Sequence, residues 1–142
     1  VQQQDTPSQF HFYSYGIADH DGVLQFYPPE DETHVSHTVL YKAQTSAKVV
    51  ELPVKQLATI IRELRHDHID ILKMDIEGAE YHVLDDILKS GVSVTQILVE
   101  FHPHIPPMSV QDTIAAVKKL QQHDYQLFAI SESGEEFSFI KR

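Results

Sequence analysis

A chain of 142 residues, 42% of them apolar, has the size and composition of one ordinary globular domain. Eleven Lys and Arg stand against 21 Asp and Glu, a net charge of −10 with His neutral. That balance argues against nucleic acid or an anionic membrane surface as partner. The absence of cysteine excludes disulfides, thiolate metal sites and cysteine nucleophiles, and no apolar run approaches the roughly 18 residues that span a bilayer.

Residues 1–9 open on Val1-Gln2-Gln3-Gln4-Asp5-Thr6-Pro7-Ser8 without the basic and apolar regions of a signal peptide. They read as a disordered or cut terminus of a longer chain, with one domain over 10–142. From Phe10 to Ala18 aromatic residues alternate as in a strand. Asp21-Gly22 turns the chain into a second strand, Val23–Tyr27, which Pro28-Pro29-Glu30-Asp31-Glu32 ends in an acidic loop. Residues 33–47, with His34, Ser36 and His37, carry no readable period. Lys48–Leu52 reads as a strand. After Pro53, Val54, Leu57, Ile60, Ile61 and Leu64 fall on one helical face, closed by Arg65-His66-Asp67-His68.

Ile69–Met74 is a mostly apolar run suited to a buried parallel strand. It leads through Asp75-Ile76-Glu77-Gly78-Ala79-Glu80 into a helix with Ala79, Val83, Leu84, Ile87 and Leu88 inward, stopped by Ser90-Gly91. Gln96–Phe101 is a second central strand, followed by His102-Pro103-His104-Ile105-Pro106-Pro107. Ser109 and Asp112 form a capping-box start for a helix whose stripe is Val110, Ile114, Val117 and Leu120. Tyr125–Ile130 and Phe137–Ile140 flank the turn Ser133-Gly134. The expected fold is α/β, with a mostly parallel sheet and an antiparallel carboxyl-terminal hairpin. Within it, Ile69–Met74 and Gln96–Phe101 are expected as parallel neighbours joined by a crossover helix.

In open parallel sheets ligands bind beyond the carboxyl ends of the strands. Asp75, Glu77 and Glu80 follow the first central run; Glu100, His102 and His104 follow the second. On one rim, such carboxylates and imidazoles bind a divalent metal or take a proton from a hydroxyl. The plainer reading gives Asp75 and Glu77 to the amino end of the next helix, worth about 0.3–1 kcal/mol each, and makes His102 and His104 loop residues. Spacing alone leaves both open. His34, His37, His66 and His68 lack zinc-site spacing, and His11, His20, His82 and His123 read as surface or strand residues, so no metal ligand is assigned. No nucleophile elbow, phosphate loop or dinucleotide fingerprint occurs.

The stretch Ile69-Asp70-Ile71-Leu72-Lys73-Met74-Asp75-Ile76-Glu77-Gly78-Ala79-Glu80 closely resembles the FkbM-type methyltransferases, whose hallmark is a strand ending in Lys-x-Asp-x-Glu-Gly-x-Glu. Gly16-Ile17-Ala18-Asp19, Asp21-Gly22, Val54-Lys55-Gln56-Leu57 and Ile97-Leu98-Val99-Glu100-Phe101-His102 extend the resemblance from about Phe12 to His102. It implies a partial Rossmann-like class I methyltransferase fold and S-adenosylmethionine-dependent methyl transfer, usually to an oxygen of a sugar or small-molecule hydroxyl. Phe10–Ala18 would be the family's third strand, Ile69–Met74 its fourth and Gln96–Phe101 its fifth. The resemblance makes Asp75, Glu100 and His102 catalytic, and places Ala18, Asp19 and Asp75 at the cofactor. Glu77, Gly78 and Glu80 would serve substrate or the motif loop.

The family's first strand, glycine-rich loop and second-strand acid have no counterpart before Phe10. The chain is therefore expected as a truncated domain that binds the cofactor weakly. It is also expected to self-associate through the exposed edge of Ile69–Met74. Two other functions stay in view: a catalytically inactive binding or assembly module, and a metal-dependent hydrolase built on Asp75, Glu77, Glu100 and His102.

Overall fold

Apolar runs of strand length alternate with helical stripes along this chain, and the computed structural model, which describes residues 7–26 and 50–142, folds them in that order. The elements are β1 (Gly16–Ile17), β2 (Gly22–Phe26), β3 (Val50–Lys55), α1 (Leu57–Leu64), β4 (Ile69–Met74), α2 (Glu80–Ser90), β5 (Val94–Glu100), α3 (Val110–Gln122), β6 (Tyr125–Ile130) and β7 (Glu136–Lys141). They build two sheets, ordered β1-β3-β2 and β4-β5-β7-β6. Among the described residues no helix is long and apolar enough to cross a membrane.

Strands β4 and β5 are parallel neighbours joined through α2, as expected, with Met74 opposite Val99. The expectation of a mostly parallel sheet is corrected. Among the described residues only β1–β3 and β4–β5 are parallel, whereas β2–β3, β5–β7 and β6–β7 are antiparallel. In the second sheet the cause is the last hairpin, whose second strand inserts between β5 and β6. Alternation along a strand reports which side chains are buried, not which strand lies alongside.

Several boundaries also move. Of the expected strand Phe10–Ala18 only Gly16–Ile17 pairs; Phe10 and Phe12 are 61% and 79% exposed, so their alternation reflects no buried face. The strand expected over Lys48–Leu52 runs on through Pro53 to Lys55, and Val54, assigned above to a helix, is instead buried in the sheet. β1 reaches only Val54 and Lys55, so Pro53 faces β2 alone and its missing N–H interrupts no second ladder. Helix α1 consequently starts at Leu57. The other helix ends follow the sequence: the Asp112 carboxylate accepts the Ser109 amide at 2.8 Å, and Gly91 leaves α2 at φ +69°. Tyr27, Lys48, Val49, the acidic loop, His34, Ser36 and His37 lie outside the described residues.

The core lies on one face of the second sheet. Leu72, Met74, Ile97, Val99, Phe137 and Phe139 stand in register there, joined by Val83, Leu84 and Ile87 of α2 and Leu120 of α3. Alternate residues point the other way, and of these Ile71 is 57% exposed and Ile140 36%. Among the described residues β4 is the edge of its sheet. This one-sided packing makes a paired prediction for urea denaturation. Ile97→Ala is expected to cost about 2–5 kcal/mol through lost burial and a cavity, and Ile71→Ala no more than about 0.5 kcal/mol. Equal losses would mean that both faces are covered.

Candidate functional site

The register of β4 and β5 brings the two polar clusters to one rim. Met74 pairs with Val99, so Asp75 and Glu100 are the next residues on adjacent parallel strands, and His102 follows two residues on. Its ring lies between the carboxylates, with Nε2 at 3.7 Å from Asp75 and 3.9 Å from Glu100.

What holds the ring is Glu80, which has no solvent exposure. Its Oε1 accepts the amide of Ile76 at 2.9 Å, and the amide of Gly78 lies 3.2 and 3.0 Å from its two oxygens. The same Oε1 accepts the Nδ1–H of His102 at 2.9 Å. To turn these amides inward the loop takes left-handed conformations at Glu77 (φ +54°) and Gly78 (φ +102°). Glycine adopts that region freely; a residue with a side chain does so at a cost of about 1–3 kcal/mol, sustained where the surroundings over-determine it. Glu80 is that surrounding.

Glu80 therefore serves the motif loop and the ring. The sequence carried its signal: Glu80, Val83, Leu84 and Ile87 fall at i, i+3, i+4 and i+7, so a carboxylate sits in the buried stripe of α2. A charge on an apolar stripe persists only when it is fully bonded.

The electrostatics follow from these contacts. The hydrogen bond to Glu80 raises the His102 pKa, against the opposing effect of burial. Burial pushes the Glu80 carboxyl up, but the bonds from His102 and the backbone amides hold it below the ordinary carboxylate range. Glu100 is raised, first by burial and then by the charge of Asp75. Donor atoms of Asp75, Glu77 and His102 lie within 4.8 Å of one another.

His104 stays next to the rim, its ring centroid 5.9 Å from that of His102, but it is 62% exposed and its Nδ1 turns to Glu135 at 3.5 Å. Ala18 and Asp19 belong to a separate network. The Ala18 amide donates to the Lys55 carbonyl, and the Asp19 carbonyl accepts from Gln56, whose side-chain amide also reaches Asp86 at 2.7 Å. Asp21 accepts the Gln56 amide and the Thr59 hydroxyl, both at 2.8 Å. Sequence reasoning gave no role to Gln56, although it stands in the stretch Val54-Lys55-Gln56-Leu57, and missed Thr59 and Asp86, which belong to no motif.

With this geometry in place, the comparisons with known proteins are specific. The FkbM methyltransferase domain matches residues 3–127. The chain belongs to the FkbM methyltransferase family. It is 33% identical over 84 residues to the human protein named probable methyltransferase-like protein 24. Its identity to the rat protein of that name is 32% over 84 residues. Each match takes in 52% of this chain and 23% of the relative, so the chain spans about a quarter of the length of the curated relatives it matches. No solved structure matches it. Membership in a methyltransferase family implies a methyl donor.

The Glu80–His102 pair gives this FkbM-family chain a pH signature. A raised histidine stabilises the fold fully below its unfolded pKa of about 6.5, and the effect is lost as pH rises through the folded value. A lowered glutamate stabilises above about 4.3, and the effect is lost as pH falls through the folded value. The pair therefore contributes most between about pH 4.3 and 6.5. Urea denaturation at pH 5.5 should show Glu80→Gln less stable than wild type by about 3–5 kcal/mol, as expected for a broken buried pair. The gap should narrow by pH 9; a pH-independent gap would show that the ring and carboxylate share no charge.

Proposed function

We propose that the chain carries the acceptor side of an S-adenosylmethionine-dependent methyltransferase domain of partial Rossmann-like class I type. It acts on an oxygen of a sugar or small-molecule hydroxyl. The observation that carries this reading is the convergence of Asp75, Glu100 and His102 beyond the carboxyl ends of two parallel strands, where ligands of such sheets bind. The chemistry of this donor set fits a cationic methyl donor, since carboxylates line the rim.

S-adenosylmethionine, when bound, supplies a methyl group on a positively charged sulfur, an electrophile that needs placement more than activation. Asp75 would hold that charge, with Ala18 and Asp19 toward the adenine. Glu80 fixes the His102 ring, so the protein's own work is orientation of the acceptor oxygen and removal of its proton. Asp75, Glu100 and His102 surround the position from which that proton leaves. Glu77 and Gly78 shape the loop beside it.

In the intact parent enzyme, Asp75→Ala should lower transfer of labelled methyl at least about 100-fold. Its unfolding curve should stay close to wild type, because the Asp75 side chain is 48% exposed. Normal turnover would reduce Asp75 to a helix-start residue. Calorimetric titration of this chain with S-adenosylmethionine should show weak binding or none, and micromolar affinity would contradict the reading of a partial site. The outer side of β4, which pairs with no strand among the described residues, supports self-association by strand pairing, which sedimentation at several concentrations reports.

A further inference from the structure

We propose that Asp75, Glu77 and His102 form a binding site for one divalent metal ion of mixed oxygen and nitrogen preference, such as Mn2+. The three donors lie within 4.8 Å of one another. An ion about 2.1–2.3 Å from each donor needs them within roughly 4.2–4.6 Å, a distance that a small side-chain rotation at the exposed Asp75 reaches.

Carboxylates gathered on a surface are common without an ion, and the histidine separates this case from that one. His102 is 6% exposed, and among the described residues its Nε2 has no hydrogen-bond partner. When the ring is neutral and gives Nδ1–H to the fully buried carboxylate, the Nε2 lone pair is aimed among Asp75 and Glu100. A carboxylate behind the far nitrogen is the support that metal-ligating histidines use to fix tautomer and direction. A helix-start role for Asp75 and Glu77 requires no such ring.

Two carboxylates and one imidazole suit Mn2+ or Zn2+ better than Ca2+, and three protein ligands leave coordination positions open. The use of the ion rests on the methyl-transfer reading with one change, since Asp75 and His102 then hold the ion instead of the sulfonium charge and the departing proton; its binding does not rest on that reading. An acceptor hydroxyl in an open position would be acidified by the ion. Glu100, 3.9 Å from Nε2, then stands beside the ion as the base that receives the proton.

The test is titration of the 142-residue chain with Mn2+ alone, free ion being read by electron paramagnetic resonance. Wild type should bind one Mn2+ saturably. Asp75→Asn and Glu77→Gln should each weaken binding at least about tenfold, and Glu80→Gln, which keeps all three ligand residues but loosens the loop and ring that aim them, about 10–100-fold. Glu132→Gln, in the exposed turn before β7, should bind as wild type. No saturable binding by wild type, or wild-type affinity in both Asp75→Asn and Glu77→Gln, would overturn the site. If Glu80→Gln fails to fold, the two ligand variants still decide. No methyl donor is present, so failure of the methyl-transfer reading registers only in the labelled-methyl assay.

Discussion

Glu80 is a carboxylate placed where the pattern of α2 calls for an aliphatic side chain, and the site depends on how that charge is satisfied. Removed from water, it takes hydrogen bonds from the amides of Ile76 and Gly78 and from the ring of His102. Each bond constrains something different. The amides fix the left-handed turn through Glu77 and Gly78, and so the place where Asp75 leaves β4. The imidazole fixes the end of β5. An isolated buried carboxylate would cost several kcal/mol, so loop, helix start and ring stand or fall together. The rim is thereby organised from beneath, by a residue that itself has no access to a ligand.

The sheet supplies the second constraint. Parallel pairing of β4 and β5 places both strand ends on one side, and antiparallel β7 lies against the far edge of β5. The core packs α2 and α3 against one face, while Ile71 and Ile140 on the other stay open to solvent. The rim is held by a sheet that the helices cover on one face, and β4 supports it least, its outer backbone groups facing no strand among the described residues.

Much of this was legible in the sequence where local chemistry decides the outcome. Mostly apolar runs marked β4 and β5, Ser109 with Asp112 marked the start of α3, and Gly91 marked the end of α2. The rule that ligands gather beyond parallel strand ends joined Asp75, Glu100 and His102 before any contact was known. What depends on non-local pairing was hidden. Nothing in Phe137–Ile140 says that it inserts between β5 and β6, and the aromatic alternation of Phe10 to Tyr13 belongs to exposed side chains. Pro53 obscured a strand because the gap in its ladder falls where no second partner runs. Glu80 was visible as a motif residue, but its reach to His102 spans 22 positions and follows only from the folded register.

The central claim, that buried Glu80 sets the orientation of His102, is tested most directly by the protonation pattern of that ring. Long-range 1H–15N correlation spectra of the 15N-histidine-labelled chain, recorded across a pH titration, report which nitrogen keeps its proton. The account predicts that on titration above the ring's raised pKa the proton remains on Nδ1, with Nε2 bare and facing Asp75 and Glu100. A neutral ring carrying its proton on Nε2, or one exchanging freely between tautomers, would contradict it.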